Sequence, residues 1–188
     1  MDKLDVAVIV GSTREGRFGP VVAQWFAEQA STHGGYRVDV IDLAEANLPA
    51  ALSGRMTAEV RAISERLERA DAFVVVTPEY NHSYPASLKT LLDWHGTQWR
   101  AKPVAFVSYG GLSGGLRAVE HLRPVFAELH ATTIRETVSF HGVWGQFDDQ
   151  GELVSPDAAT AAAKTLLDQL SWWAHALRDA RRVRPYAS

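Results

Sequence analysis

A chain of 188 residues, 46% hydrophobic and 22% charged, holds one well-buried core and is short for two, and its charge content is that of an ordinary folded domain rather than a disordered one. The formal net charge of −3 leaves no broad cationic surface for nucleic acid or anionic lipid. With no cysteine, disulfides, thiolate nucleophiles and thiolate-held metal clusters are excluded, so redox chemistry would need a borrowed cofactor.

The opening MDKLDVAVIVGS has neither the length nor the cleavage pattern of a secretory signal. No stretch reaches the roughly 18 uninterrupted apolar residues of a membrane span. The expectation is a cytoplasmic protein without membrane or nucleic-acid partners. Leu4 to Val10 reads as a buried strand ending in GST, and Pro20 opens a helix carrying Val22, Trp25, Phe26 and Ala30 that stops at Gly34 and Gly35. Arg37 to Leu43 alternates as an edge strand does. Met56, Val60, Ile63, Leu67 and Ala70 recur at helical spacing. AFVVV at Ala72 to Val76 has the continuous apolar character of a strand covered on both faces, and Pro78 ends it.

Pro85 starts a helix bearing Leu88, Leu91, Leu92 and Trp94, with Lys89 and Asp93 spaced to pair. The aromatic area of Trp94 and Trp99 reads as a subunit contact, with core packing as the alternative. Val104 to Val107 is a fourth strand. A helix from Leu116 to Leu129 contains Pro124, which is expected to bend or break it, and Thr132 to Phe140 is a fifth strand. HGVWGQFDDQGEL is irregular, with DDQG a turn, and Pro156 opens a last helix through Leu177. Residues 181–188 read as a flexible tail of a single domain spanning 1–188. Five alternations of strand and helix predict an α/β fold with a parallel sheet covered on both faces. Ligands in such sheets sit beyond the carboxyl ends of the strands.

Three loops gather at that edge. Gly11 to Gly19, GSTREGRFG, offers backbone N–H groups, the Ser12 and Thr13 hydroxyls, Arg14 and Arg17 at a helix start, which together suit a terminal phosphate. It has neither the GxGxxG nor the GxxxxGK[ST] register, and an ordinary tight turn is the other reading. Glu15 is expected to face solvent. In the second loop, PEYNHS from Pro78 to Ser83, Pro78 fixes the chain direction and Glu79, Tyr80, Asn81, His82 and Ser83 present consecutive amides and short polar groups, which suit the uracil-like edge of a flavin. Tyr80 and His82 either flank such a ring or are a packing aromatic and a helix-start polar residue. His121 and His130 read as helix-surface residues. In the third loop, SYGGLSGG from Ser108 to Gly115, the glycines admit a flat group and Tyr109 stacks near it or covers it. Arg117, at the positive end of its helix, calls for an anionic partner: nicotinamide dinucleotide phosphates or, more plainly, Glu120.

GSTREGRFG, PEYNHSYPASLKTLLDW and SYGGLSGG, in that order and spacing, make the chain resemble the NADPH-dependent FMN reductases of the flavodoxin-like superfamily, with its quinone, azo-dye and chromate reductases. The resemblance implies a flavodoxin-like three-layer sandwich with a five-stranded parallel sheet of order 2-1-3-4-5, and a homodimer or tetramer with FMN near the subunit boundary. It implies that Ser12, Arg14 and the Arg17, Phe18, Gly19 backbone hold the phosphate, that Pro78 to Ser83 carry the ring, and that Ser108, Tyr109, Gly110 and Gly111 border it. Many members have serine where this chain has Arg17. The implied activity is an NAD(P)H-dependent flavin oxidoreductase in which FMN takes hydride at N5 from NADPH or NADH and passes electrons to a small-molecule acceptor by a ping-pong cycle. Quinones, azo compounds, metal oxyanions and free flavin are all candidate acceptors, with His82, Trp144 and Phe147 among the residues that would choose between them. No metal and no protein acid or base is expected. The alternatives are a flavodoxin-type electron carrier, a protein using FMN structurally, and a phosphate hydrolase relying on Asp42 and Glu79.

Overall fold

The computed structural model describes residues 2–187. Met1 and Ser188, the two ends of the expected domain and tail, lie outside the described residues. In chain order the elements are β1 (Leu4–Val10), α1 (Gly19–His33), β2 (Tyr36–Asp42), α2 (Ala58–Arg69), β3 (Ala72–Pro78), α3 (Ala86–Trp94), β4 (Pro103–Gly110), α4 (Leu116–Glu128), β5 (Thr132–His141) and α5 (Pro156–Val183). The five strands form one sheet in the order β2-β1-β3-β4-β5, and every neighbouring pair is parallel. The fold is therefore the parallel α/β sandwich that the alternation of elements foreshadows, in the flavodoxin-like strand order that the resemblance implies.

The pleat divides each strand between two apolar layers. Leu4, Val6, Val8 and Val10 of β1 pack with α1 and α5, while Ala7 and Ile9 face the helices on the opposite side, α2, α3 and α4. β3 is buried at every position, and β2, at the edge, is fully buried only at Tyr36 and Ile41. α1 stops where Gly34 takes φ 79°, a conformation costly to any side chain with a Cβ, and its N–H caps the Ser31 carbonyl.

Several elements depart from expectation. α2 begins at Ala58, because the Thr57 hydroxyl accepts from Val60 N–H and caps the helix there. Met56 thus lies outside the helix and is exposed. Pro124 neither breaks nor ends α4, which runs through it. α5 reaches Val183, six residues beyond the expected Leu177. Of the expected tail, Arg181 hydrogen-bonds the Ala101 carbonyl and the Tyr186 hydroxyl meets His130 Nδ1 at 2.8 Å. The aromatic segment after α3 is not a free surface. Trp99 is fully buried against Phe73 and Phe126, and Leu88, Leu91 and Leu92 are core residues. Trp94 is half-buried, with its indole N–H donating to the Pro49 carbonyl at 2.8 Å. Trp99 and the three leucines are thus core packing, the alternative reading of this segment.

Candidate functional site

The carboxyl ends of β1, β3 and β4 deliver their loops to one cleft of about 220 Å³, lined by Ser12, Arg14, Gly16, Arg17, Phe18, Pro78, Glu79, Tyr80, Tyr109, Gly110, Gly111, Val143 and Trp144. Larger depressions of about 390 and 420 Å³ lie beside Thr13, Leu48 and Ser87 and between α1 and α5. Neither collects donors from all three loops, and chemistry rather than volume singles out the smaller cleft.

In the first loop the chain leaves β1 and reaches α1 without forming most of the backbone bonds it could. Arg17 N–H bonds the Arg14 carbonyl and Arg14 N–H the Ser12 hydroxyl. The N–H groups of Thr13, Glu15, Gly16 and Phe18 have no protein partner among the described residues. α1 adds its own unpaired first turn, with no side-chain cap and no acidic residue there, so its positive end is uncompensated. The two arginines have different fates. Arg17 donates to the Ser12 carbonyl at 3.1 Å and pairs with Asp42 at 2.7 Å, which raises its pKa chiefly through that bond. Arg14 is exposed on the rim of the cleft, and its guanidinium makes no hydrogen bond or ion pair among the described residues. Glu15 faces solvent, as expected. Asp42, considered as a metal carboxylate, is the partner of Arg17, and no metal-binding cluster occurs among the described residues.

The second loop is a tight turn. Tyr80 and Ser83 exchange backbone bonds of 2.9 and 3.0 Å across Asn81 and His82, whose φ values of 49° and 70° are those of a type I′ turn. The turn holds out the Asn81 and His82 N–H groups, which lack protein partners among the described residues. Tyr80 is neither a plain packing aromatic nor a loose cover. Its hydroxyl lies 2.5 Å from Ser12 Oγ and ties the second loop to the first.

The third loop is tied to the second by a contact that sequence reading missed. The Glu79 carboxylate, only 7% exposed, pairs with Arg117 at 2.6 Å and accepts from the Ser113 hydroxyl at 2.5 Å. The anion answering Arg117 is thus Glu79 rather than Glu120, which pairs with Arg123. The cue was present: a cation in the first turn of a helix, and a carboxylate in the neighbouring loop of the same sheet edge. Arg117 also donates to His82 Nδ1 at 3.2 Å, and His121 Nδ1 meets Ser83 Oγ at 3.1 Å. His121 and His130 are exposed, as expected.

Five expected site residues occupy places other than those foreseen. Ser108 is fully buried and its hydroxyl donates to the Gly114 carbonyl at 2.8 Å, shaping the loop instead of lining the cleft. Tyr109 is 4% exposed and packs in the core layer of α1 and α5, so it does not cover a flat ring. Phe147 is buried against Phe18 and Phe140 and is removed from the residues facing an acceptor, whereas Trp144 stands 71% exposed at the cleft rim. His82 and Asn81 are exposed beside the cleft rather than within its lining. Gly19 is required by close approach: a Cβ there would stand 2.9 Å from both the Tyr109 hydroxyl oxygen and a Val10 methyl.

The chain is similar to known proteins. A quinone reductase of Escherichia coli K12 is 31% identical over 167 residues, covering 81% of this chain and 89% of that protein. A 2-hydroxy-1,4-benzoquinone reductase of a Burkholderia species is 31% identical over 187 residues, 95% of this chain and 98% of that protein. An NAD(P)H-dependent FMN reductase of Schizosaccharomyces pombe is 37% identical over 119 residues, but the match spans only 58% of this chain and 60% of that protein. Among solved structures, the flavoenzyme NAD(P)H:(acceptor) oxidoreductase FerB from Paracoccus denitrificans superposes with a TM-score of 0.73 over 92% of this chain and 98% of that one, at 22% identity, which speaks for the fold. The profile of the NADPH-dependent FMN reductases matches residues 4–145, a span that takes in all three loops, and the chain belongs to that family.

Proposed function

We propose that this protein is an NAD(P)H-dependent FMN oxidoreductase that reduces small acceptors of the quinone type. The observation that carries the reading is the gathering, at one sheet edge, of unpartnered N–H groups, the free guanidinium of Arg14 and the unopposed start of α1. That donor set fits a phosphate monoester, and the glycines of the third loop fit the flat remainder of a flavin. The names of the relatives above support the same donor and acceptor classes.

Bound FMN would supply the two-electron chemistry between a nicotinamide and an acceptor. The chain supplies the seat. Ser12, Arg14 and the free amides of Thr13, Glu15, Gly16 and Phe18 would hold the phosphate. The turn from Pro78 to Ser83 would offer the free Asn81 and His82 amides to the carbonyl edge of the ring, where fixed donors favour added negative charge. Gly110 and Gly111 leave the neighbouring wall without side chains. Glu79, locked by Arg117 and Ser113, and Tyr80, locked by Ser12, keep the three loops in one register, so the donors are placed before the cofactor arrives. Trp144, exposed beside Gly111, is the side chain placed to meet an acceptor. Azo compounds, metal oxyanions and free flavin remain chemically open to the same site. The reading includes a homodimer, the assembly of the flavin site that the family resemblance implies.

Anaerobic titration of the FMN-loaded protein with NADPH and then NADH, followed by the absorbance of oxidised flavin, tests the reading. Bleaching by either nucleotide is the expected result. A bound flavin that neither bleaches would make the chain a carrier, and failure to bind FMN at all would remove the cofactor assignment.

A further inference from the structure

Tyr109 occupies the penultimate position of β4, and its side chain lies in the layer shared with α1 and α5. It extends far enough toward β1 and α1 for its hydroxyl oxygen to stand 2.9 Å from where a Cβ on Gly19, the first residue of α1, would be. The ring is packed in the core, but the residue also lines the cleft. The hydroxyl is buried and has no hydrogen-bond partner among the described residues.

An orphaned buried hydroxyl is costly, and Tyr is usually placed where its O–H finds an acceptor. The polar groups around it are turned to other partners. Ser12 is close enough to act on Tyr109, and that influence runs against the larger effect of burial, but its Oγ is already engaged by Tyr80 and Arg14 N–H. The Ser12 carbonyl accepts from Arg17, and Asp42 Oδ1 accepts from Arg17 and from Ala44 N–H. The end of the cleft next to α1 is thus rich in donors and short of one acceptor. Glycine at position 19 leaves room for the hydroxyl beside the start of α1, since a Cβ there would stand 2.9 Å from it.

We propose that the Tyr109 hydroxyl donates to the phosphate of FMN, so that this core tyrosine, more than the ring-facing loops, makes the site prefer the phosphorylated flavin to riboflavin. The inference rests on the reading of the cleft as a flavin site and adds to it a residue whose role is at the phosphate rather than beside the ring. Burial also pushes the phenol above its ordinary pKa of 10.0, so it is a donor throughout the physiological range. It also implies a trade between binding and stability: the hydroxyl is a liability to the empty protein and is satisfied only when the phosphate arrives.

The test compares the wild-type chain freed of flavin with Tyr109→Phe, titrating each calorimetrically with FMN and with riboflavin and measuring the melting temperature of each without flavin. The expected result is an FMN affinity weakened about ten- to a hundredfold, as for a hydrogen bond to a charged group, with riboflavin affinity unchanged and a flavin-free melting temperature equal to or above that of the wild type. Equal losses for both flavins, an unchanged FMN affinity, or a lowered melting temperature would show that the hydroxyl serves packing or the Ser12 network and would overturn the proposal while leaving the cofactor reading intact. A wild-type chain that binds neither flavin would overturn both.

Discussion

Arg14 and Arg17 sit three residues apart in one glycine-rich loop, and their sequence context does not distinguish them. The fold does, because β2 ends beside β1 and brings Asp42 to Arg17. Arg17 is thereby spent on holding the loop to the edge strand, and Arg14 is left as the free cation at the cleft. Arg14→Ala is expected to weaken FMN binding by about 1–3 kcal/mol, the range for a charge-assisted bond, with little change in the stability of the flavin-free chain. Calorimetric affinities that match the parent would remove Arg14 from the phosphate site. Residue types and loop positions were legible in the sequence: Ser12, Arg14, Phe18, Pro78, Glu79, Tyr80, Gly110 and Gly111 all line the cleft. Partners were not. Glu79 with Arg117 and Ser12 with Tyr80 join positions 38 and 68 apart along the chain, and nothing in local spacing says which of several polar neighbours a side chain will choose.

At the scale of elements, apolar periodicity located each strand and helix, because burial against a sheet imposes it. Boundaries followed caps where one could be seen, as at Gly34, and were missed where the cap was unremarked, as at Thr57. The segment from Leu88 to Trp99 shows why periodicity does not name the partner. A wide apolar face looks the same whether it meets a second subunit or its own sheet, and here Trp99 fills the space between Phe73 and Phe126. Leu112, at 98%, and Leu116 are exposed in the third loop and at the start of α4, and Trp144 is exposed on the cleft rim; in the homodimer reading these are the side chains better placed for a contact between chains. Trp99→Ala is therefore expected to destabilise the fold by about 3–5 kcal/mol while light scattering on the folded fraction still reports a dimer. Leu112→Glu is expected to do the reverse, lowering the mass toward that of one chain with the melting temperature of the dissociated fold unchanged. A monomeric wild type, or dissociation caused by the Trp99 change alone, would contradict this division.

At the scale of the whole molecule, the parallel order and both apolar layers could be read in advance because continuous strands alternating with one-sided helices admit few arrangements. The ionisable groups enclosed between those layers could not, since a lysine in a polar stretch is ordinarily solvated. Lys102 is buried: its ammonium donates to the Leu67 and Glu68 carbonyls, both at 2.9 Å, and lies 5.4 Å from the centre of the Phe73 ring. Burial, aided by repulsion from Arg181 and opposed by Asp71 and Glu68, lowers its pKa from 10.5 to about 8. In the unfolded chain the same group stays protonated up to about 10.5, so between those values the unfolded state binds more protons and folding stability rises with pH. Below pH 8 the group is charged in both states and the penalty of burying it is fully present. Tyr36 and Tyr109 act in the opposite sense. Burial raises both above the ordinary 10.0, so beyond pH 10 the unfolded chain loses protons that the folded one keeps and stability falls. Urea unfolding from pH 7 to 11 should therefore give a curve that is flat near 7, climbs by about 2 kcal/mol between pH 8 and 10, and then declines. Lys102→Met retains the apolar stem and removes the titrating group, so it should flatten the climb and leave the decline in place. A wild-type curve that is level or falling between pH 8 and 10 would mean that the ammonium is solvated and that the end of α2 is more open than its bonds to Lys102 indicate.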